Sequence, residues 1–225
     1  MLVSPHRTSR PWQGHEGDTT PALPEYEPKC YLCPGNDRAG GAVNPDYDGV
    51  FIFDNDFAAL LDQTIDAHDD DPLFQVAPVR GRCRVICYGP RHNQPLHHMP
   101  HDEMVTVFNA WQQQSVELGQ RYEWVQIFEN RGALMGASSP HPHGQIWALD
   151  ALPTEAAREL ERQSDYRRAH GRGLLQDYLA RELAADERLV ETSEHWVALV
   201  PFWAVWPFET LLLPRRPVAR LGDLT

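Results

Sequence analysis

Alternating polar residues at positions 141–145 are the clearest candidates for chemistry in this chain. The sequence there is His-Pro-His-Gly-Gln, so His141, His143 and Gln145 share one side if the backbone is extended. The prolines at 140 and 142 stiffen this segment. A neutral imidazole held in this way can attack phosphorus, while a glutamine amide can donate to a phosphoryl oxygen that gains charge. The pattern favours nucleophilic chemistry at phosphorus over its structural alternative, two buried histidines hydrogen-bonded in a turn.

The loop that precedes these residues is rich in small side chains. It contains Gly132, Gly136, Ser138 and Ser139. Small residues let backbone N–H groups approach an anion closely. The loop therefore predicts a phosphate-bearing ligand next to the histidines.

Cysteine usage indicates a second candidate site. The four cysteines are Cys30, Cys33, Cys83 and Cys87, and no export signal is recognisable, so metal binding or plain burial is favoured over a disulfide framework. Cys30 and Cys33 form a C-x-x-C pair followed by Pro-Gly, and a tight turn there can aim two thiolates at one tetrahedral ion. A redox-active pair is expected at the head of a helix, which the Pro-Gly sequence disfavours.

Two interpretations stay open for the remaining ligands of such an ion. Cys83 and Cys87 share one face of a predicted strand, 82–88, where burial as inert thiols is favoured over an all-cysteine zinc site. His92 follows directly after this strand, so it can join the C-x-x-C pair instead.

The elements that must position these residues alternate irregularly between strand and helix. Apolar patterning predicts strands at 51–53, 82–88, 124–128, 144–149, 189–200 and 208–213. Helical spacing predicts a helix over 102–121, with the aspartate at 102 as its N-cap. A second helical stretch covers 154–185 and is interrupted by glycines at 171 and 173. This order predicts an α+β fold with an antiparallel sheet rather than a doubly wound parallel one.

Composition excludes several classes of function. The chain has 225 residues, a formal net charge of −12 and 42% hydrophobic residues, which indicates a folded and acidic protein. The acidic balance argues against nucleic-acid binding. No apolar run approaches the roughly 20 residues of a membrane span, and no signal peptide is recognisable, so we expect a cytoplasmic protein without membrane contact.

Taken together, the motifs resemble the galactose-1-phosphate uridylyltransferase family of the histidine-triad superfamily. The segments that carry the resemblance lie along the whole chain, at 4–7, 10–14, 30–36, 44–47, 55–57, 84–87, 128–130, 141–147 and 206–214. They include Cys-Tyr-Leu-Cys-Pro-Gly-Asn at 30–36, His-Pro-His-Gly-Gln-Ile-Trp at 141–147 and Trp-Pro-Phe-Glu-Thr at 206–210, and they are highly specific only when taken together. The resemblance implies a histidine-triad-like antiparallel sheet with packed helices, plus the start of a second similar half.

The resemblance also implies a reaction in two steps. His143 is the expected nucleophile that takes the uridylyl group of UDP-glucose, releasing glucose 1-phosphate. Galactose 1-phosphate then accepts the group, giving UDP-galactose in the Leloir pathway of galactose metabolism. Gln145 is expected to stabilise the uridylyl-histidine intermediate. A related nucleotide phosphorylase or hydrolase of the same superfamily is disfavoured by the zinc pair and the 206–210 motif.

Ligand sets follow from the resemblance residue by residue. The expected zinc ligands are Cys30, Cys33, His92 and His141, which leaves Cys83 and Cys87 as non-ligands. The expected substrate contacts are Arg7, Arg10, Asn55, Asp56, Asn130, Gly136, Ser138 and Gln145, with Arg7 and Arg10 on an arm that reaches a partner subunit. Glu159 matches one ligand of a second site for iron or zinc that is incomplete in this chain. Ser139 and Ala137 depart from the family pattern, but both are small.

The resemblance changes what the length implies. We expect an N-terminal nucleotide-binding domain with the zinc site at 1–154 and the beginning of a C-terminal domain at 161–225, without the family's C-terminal part. The expected partners are UDP-glucose, galactose 1-phosphate, and either a second copy in a homodimer or a complementing C-terminal polypeptide. The alternative function is an inactive or split fragment that binds zinc and nucleotide but needs that separate partner for activity.

Overall fold

The computed structural model describes residues 23–38, 40–63 and 69–224. Arg7 and Arg10 lie outside these residues. The described chain divides into two compact units, one ending at Pro153 and the other beginning at Thr154. Both units combine helices with antiparallel strands, so the architecture is α+β, as the order of the elements predicted.

A four-stranded antiparallel sheet forms the centre of the first unit. Its strands, in spatial order, are β1 (Phe51–Asp54), β4 (Gly81–Cys87), β6 (His143–Leu149) and β5 (Trp124–Phe128). The predicted strands at 51–53, 82–88, 124–128 and 144–149 are confirmed to within one residue at each end. β6 starts at His143, so this histidine lies on a central strand that is paired on both sides.

The two faces of this sheet carry different chemistry. One face packs against α1 (His101–Gly119) through an apolar core that includes Ile86, Val107 and Ile146, all fully buried. On the other face, the register places His143 opposite Cys87, and Gln145 opposite Val85. The residue alternation of a strand therefore separates the hydrophobic core from the predicted reactive groups.

Helix α1 begins one residue before the predicted start. Its N-cap is Pro100, which makes no side-chain capping hydrogen bond, so the prediction that Asp102 is the N-cap was wrong. Asp102 and Glu103 lie in the first turn, where a carboxylate is favoured by the partial positive charge of the helix N-terminus. The acidic pair marks the start of this helix without capping it.

A short hairpin completes the first unit. It consists of β2 (Asp69–Asp70) and β3 (Gln75–Val76), which pair antiparallel. These two short strands are not among those predicted, because the acidic sequence there has no apolar alternation. Among the described residues, no helix is long and apolar enough to cross a membrane.

The second unit packs helices against a three-stranded sheet. Its helices are α2 (Thr154–His170) and α3 (Leu174–Ala185), and its strands are β7 (Leu189–Thr192), β8 (Trp196–Leu199) and β9 (Leu211–Pro214). Gly171 has a φ of +72°, in the left-handed region that favours glycine, and it interrupts the helical stretch as predicted. Leu179, Val197, Leu199 and Leu213 form the core.

Two predicted strands of this unit differ from the structure. The segment 189–200 is a hairpin rather than one strand, because Ser193 caps a turn in which its backbone N–H donates to the Trp196 carbonyl at 2.9 Å. The strand predicted from position 208 starts at Leu211, because Phe208 has a φ of +61° that is incompatible with extended backbone.

Candidate active site and metal centre

Four side chains from three segments of the first unit form one cluster. Cys30, Cys33, His92 and His141 are all buried, and one ligating atom from each lies within 4.8 Å of the others. Among the described residues, this is the only such group of three or more histidine, cysteine or acidic side chains. The structure therefore brings together all four expected zinc ligands.

The separations between the Cys33 sulfur and the two imidazole nitrogens fit a tetrahedral zinc ion. The Cys33 Sγ atom lies 3.6 Å from His92 Nδ1 and 3.5 Å from His141 Nδ1. Bond lengths of about 2.3 Å to sulfur and about 2.0–2.1 Å to nitrogen, at a tetrahedral angle, predict an S···N separation of about 3.5–3.6 Å. Two thiols and two imidazoles are also a donor set that zinc prefers. A site with four protein ligands has no open position, which is typical of a structural ion.

The ring of His141 is fixed on its far side. Its Nε2 atom lies 3.0 Å from the Gly89 carbonyl oxygen and 3.3 Å from the Tyr47 hydroxyl. A proton on Nε2 donates to that carbonyl and leaves the Nδ1 lone pair directed at the cluster. Such a partner on the second nitrogen is the usual way in which a ligating histidine is oriented.

Side-chain donors form hydrogen bonds to all four backbone carbonyls of the C-x-x-C turn. Asn36 Nδ2 donates to the Cys30 carbonyl at 2.8 Å, and Asn44 Nδ2 donates to the carbonyls of Tyr31 and Cys33 at 3.0 Å each. The Tyr47 hydroxyl donates to the remaining carbonyl, that of Leu32, at 2.5 Å. The turn is thus shaped by protein hydrogen bonds as well as by its ligating sulfurs.

These three polar residues were missed as site residues in the sequence analysis. Asn36, Asn44 and Tyr47 lie in segments that carry the resemblance, 30–36 and 44–47, but the pattern assigns them no role. A cluster of asparagine and tyrosine beside a C-x-x-C pair is the signal that could have found them, because a tight turn exposes carbonyls that need donors.

Burial sets the electrostatics of the cluster. It lowers the pKa of His141 to about 4 and also lowers the pKa of His92, so both rings are neutral, the form that binds a metal. Burial raises the pKa of Cys33 to about 11, so metal binding displaces a proton from this thiol.

The other two cysteines stay outside the cluster. Cys83 and Cys87 are buried free thiols on β4, as predicted. Burial raises the pKa of Cys87 to about 12, which keeps it a neutral thiol. Both lie on the face of the sheet that carries His143, with Cys87 directly opposite His143 and Cys83 opposite Trp147.

One ring nitrogen of His143 is hydrogen-bonded to the backbone. Its Nδ1 atom lies 2.7 Å from the backbone carbonyl oxygen of His141. A carbonyl only accepts hydrogen bonds, so Nδ1 carries the proton and Nε2 keeps its lone pair. In the neutral form of this half-buried ring, Nε2 is therefore the nitrogen with an available lone pair.

The backbone between His143 and Gln145 is packed tightly against the opposite face. A Cβ atom on Gly144 would lie 2.5 Å from the Tyr88 hydroxyl oxygen and 3.1 Å from the Phe128 carbonyl oxygen. Only glycine fits this approach without a shift of its neighbours. The absence of a side chain at Gly144 therefore allows Tyr88 and Phe128 to pack directly against the backbone between His143 and Gln145.

The small-residue loop is attached to the C-x-x-C turn. The Tyr31 hydroxyl lies 2.7 Å from Ser138 Oγ, and Cys30 Sγ lies 3.7 Å from Ser139 Oγ. Ser139 Oγ also accepts the backbone N–H of His141 at 3.3 Å. Gly136 has a φ of +79°, which a residue with a side chain rarely adopts. Hydrogen bonds thus attach the loop both to the turn that carries Cys30 and to the segment just before β6.

The expected nucleoside contacts are distributed along two strand ends. Asn55 follows β1, and its Oδ1 accepts the backbone N–H of Phe57 at 2.9 Å. Asp56 forms an ion pair with Arg38 at 3.3 Å, a partner that sequence analysis did not identify. Asn130 is exposed and follows β5. These residues are not brought into contact with the metal cluster by any described hydrogen bond.

Glu159, the expected ligand of a second metal, lies exposed on α2. The described residues place no group of three or more metal-ligating side chains around it. The expected arm residues Arg7 and Arg10 lie outside the described residues, so the structure says nothing of their contacts.

Comparison with family models gives two matches that together cover most of the chain. The model described as galactose-1-phosphate uridyl transferase, N-terminal domain, matches residues 1–153, and the model of the C-terminal domain matches residues 159–225.

Comparison with curated proteins finds relatives of the same description. The chain is 53% identical to a galactose-1-phosphate uridylyltransferase of Haemophilus influenzae over 227 residues, which cover 100% of this chain and 65% of that protein. It is 52% identical to the rat protein of the same name, with 100% of this chain and 60% of that protein covered. The chain thus spans less than two thirds of the length of these relatives.

Solved structures show the same architecture. A uridylyltransferase structure aligns with a TM-score of 0.76 at 28% identity, covering 90% of this chain and 64% of that one. An ADP-glucose phosphorylase from Arabidopsis thaliana with bound ADP-glucose aligns with a TM-score of 0.69 at 22% identity, covering 99% and 67%. The second likeness shows a shared fold only.

Proposed function

The chain belongs to the galactose-1-phosphate uridylyltransferase family, and on that premise we propose that it transfers a uridylyl group from UDP-glucose to galactose 1-phosphate in galactose metabolism. The observation that carries this proposal is the 2.7 Å contact between His143 Nδ1 and the His141 carbonyl oxygen. It leaves one nitrogen, Nε2, free to act as a nucleophile without any proton transfer.

The first half-reaction forms a covalent bond to the protein. His143 Nε2 attacks the α-phosphorus of UDP-glucose, and the bond from that phosphorus to the bridging oxygen breaks. Glucose 1-phosphate leaves with the electron pair, and the uridylyl group stays on the ring. The imidazole gains positive charge, which the His141 carbonyl stabilises through the Nδ1–H bond.

The second half-reaction reverses the first with a different sugar. A phosphate oxygen of galactose 1-phosphate attacks the same phosphorus, the P–N bond breaks, and the electron pair returns to Nε2. UDP-galactose leaves and His143 is neutral again. One site thus handles two similar sugar phosphates in turn, which suits a covalent intermediate.

The phosphoryl oxygens need donors while charge develops on them. Gln145 lies two residues after His143 on the same face of β6, within reach of a group bound to that ring. Ser138 and the Gly136 backbone lie on the adjoining loop and supply further donors. On the strength of the family pattern, we assign uracil and ribose contacts to Asn55 and Asp56, and Asn130 to the nucleotide and phosphate cradle with Gly136 and Ser138.

The metal centre has a structural role in this proposal. Cys30, Cys33, His92 and His141 would hold zinc, which would fix the C-x-x-C turn to the segment before β6. His141 then presents its backbone carbonyl to His143 in one position. Glu159 is proposed as a ligand of a second metal whose other ligands lie outside the described residues, and Arg7 and Arg10 as phosphate contacts in a homodimer.

The proposal is tested by isotope exchange. The zinc-loaded chain is incubated with UDP-glucose and radiolabelled glucose 1-phosphate, with no galactose 1-phosphate present. A covalent uridylyl intermediate predicts that label enters UDP-glucose, because the first half-reaction is reversible. His143→Ala should abolish this exchange, whereas His98→Ala, which alters an exposed histidine, should leave it unchanged.

The same assay separates activity of the chain alone from complementation. Because the chain spans about 65% and 60% of the relatives above, the exchange is repeated with an added C-terminal polypeptide of such a relative. Exchange only in the mixture identifies a split enzyme, the alternative function. Absence of exchange from both samples, with zinc bound and the fold intact, contradicts the transferase proposal.

A further inference from the structure

Gln145 is hydrogen-bonded to the next residue on its face of the strand. The Trp147 indole Nε1 lies 3.1 Å from Gln145 Oε1. His143, Gln145 and Trp147 are alternate residues of β6, and all three are half-buried. The indole thus lies on the side of Gln145 that is away from the nucleophile.

This contact can be satisfied by only one orientation of the amide. The indole N–H is a donor and cannot accept, while a carboxamide has an accepting oxygen at one end and a donating NH₂ at the other. Rotation of the Gln145 amide by a half-turn would place two donors against each other. The bond therefore fixes the oxygen toward Trp147 and leaves the Nε2 hydrogens as the donors for another group.

The indole itself is held in place. β6 is paired on both sides, with β4 and with β5. The Trp147 ring packs edge-on against Phe128, with ring centroids 5.6 Å apart and an interplanar angle of 76°. Phe128 lies directly opposite Gln145 in the strand register. Reorientation of the indole would disrupt this contact.

We propose that Trp147 is a positioning residue that orients the Gln145 amide so that its NH₂ group donates to the phosphoryl group on His143. The inference rests on the proposed function for what the NH₂ group contacts, but the orientation itself rests on the Trp147–Gln145 bond. Trp147 touches neither substrate nor reacting atoms in this account and acts only through Gln145.

The chain contains a matched control for this interaction. On β5, the Trp124 indole Nε1 lies 3.2 Å from Gln126 Oε1, the same pair of residue types at the same spacing. Gln126 is exposed and lies on the edge strand of the sheet. Trp124→Phe therefore removes an equivalent bond from Gln126, which lies opposite Trp147 rather than opposite Gln145 in the strand register.

The first experiment detects the bond without any need for activity. Protein labelled with ¹⁵N at the tryptophan indoles is compared with Gln145→Leu, and the Trp147 resonance is assigned as the one missing from Trp147→Phe. The proposal predicts that Gln145→Leu shifts the Trp147 indole proton upfield and speeds its exchange with solvent, while the Trp124 resonance stays in place. An unchanged Trp147 resonance overturns the proposal.

The second experiment measures the rate at which UDP-glucose uridylylates His143. Trp147→Phe keeps an aromatic ring and removes the N–H, so we expect a roughly 10-fold lower rate, less than the loss on removing a donor outright. Binding of UDP-glucose, the zinc content and the melting temperature should stay near those of Trp124→Phe. In a Gln145→Ala background, Trp147→Phe should have no further effect on the rate.

The two experiments test the positioning role and the proposed function separately. An equal loss in both backgrounds means that Trp147 acts through packing, which overturns the positioning role. If the unaltered chain forms no adduct, alone or with the C-terminal polypeptide, then the proposed function fails, and the indole resonance alone decides whether Trp147 orients Gln145.

Discussion

The ring nitrogen Nδ1 of His143 lies 2.7 Å from the backbone carbonyl oxygen of His141, whose own Nδ1 lies 3.5 Å from the Cys33 sulfur. His141 thus contributes its side chain to the Cys/His cluster and its backbone carbonyl to the contact with His143, the proposed nucleophile. Because the two groups belong to the same residue, a change in metal binding is expected to alter the position of the reactive imidazole.

Loss of a metal ligand should therefore reduce both zinc content and reactivity. His141→Ala removes one of four ligands, and we expect bound zinc to fall from about one ion per chain to far less. Formation of the uridylyl adduct should fall by at least about 100-fold, since a misplaced reacting group is costly. Zinc content is measured by elemental mass spectrometry, and the adduct by intact mass.

The control for this variant is another buried residue of the same face. Cys83→Ala alters a buried thiol that lies outside the cluster, so it should keep its zinc and its reactivity. Retention of full reactivity by a zinc-free His141→Ala variant would contradict the coupling between the two groups.

Asn44 should control zinc affinity without being a ligand. Its side-chain amide donates to the carbonyls of Tyr31 and Cys33, and it is only 3% exposed. Asn44→Ala leaves two carbonyls of the turn without these bonds, so we expect about 10- to 100-fold weaker zinc binding in competition with a chelator. Asn93→Ala, which alters an exposed asparagine next to His92, should bind zinc normally.

Gly144 should be intolerant of even one extra carbon. Gly144→Ala brings Cβ to 2.5 Å from the Tyr88 hydroxyl oxygen, and we expect a loss of about 1–3 kcal/mol in the free energy of unfolding. Adding Tyr88→Phe removes the closest atom and should recover part of that loss. Recovery stays incomplete, because the Phe128 carbonyl remains 3.1 Å away. Additive effects in denaturant unfolding would exclude this contact as the cause.

Asp62 should make stability depend on pH in the acidic range. The Tyr122 hydroxyl, followed by Arg121 and Arg82, holds the pKa of its carboxyl below the ordinary 3.8. A lowered pKa means that the ionised form stabilises the fold above about pH 4, and that this stability is lost as pH falls through the folded-state value. Asp62→Asn should cost about 1 kcal/mol at pH 7, since the group is partly exposed, and less as the pH falls toward its folded-state pKa.

The comparison is made by urea unfolding at several pH values. Tyr122→Phe removes the largest cause of the lowered pKa, so the loss of stability on acidification should be smaller and should end at a higher pH. An Asp62→Asn penalty that is equal at pH 7 and pH 2 would show that charge plays no part.

Local patterns predicted the sheet that carries the site, but not every connection. β4 and β6 have alternating or continuous apolar residues, so the sequence predicts both strands. The same pattern predicts that Cys83 and Cys87 share one face of β4 and are buried. The hairpin of β7 and β8 was missed because Ser193 makes a turn through hydrogen bonds to Trp196 that composition does not reveal.

The candidate site was predicted only as far as residue types allow. His92 was one of two open choices on the residues alone, because proximity to Cys33 depends on how β4 packs under the C-x-x-C turn. The same limit applies to Asp56, whose partner Arg38 is 18 positions away and meets it only in the folded chain. Tautomers and amide orientations need distances, so His143 and Gln145 gained theirs from the structure.

In the proposed reaction, His143 Nε2 carries the uridylyl group. The most direct measurement treats the zinc-loaded chain with UDP-glucose, with the C-terminal polypeptide added if exchange requires it, and locates the added mass by peptide fragmentation. We predict one UMP per chain on His143, absent from His143→Ala and released by galactose 1-phosphate as UDP-galactose. An adduct that persists in His143→Ala, or that maps to another residue, would contradict the account.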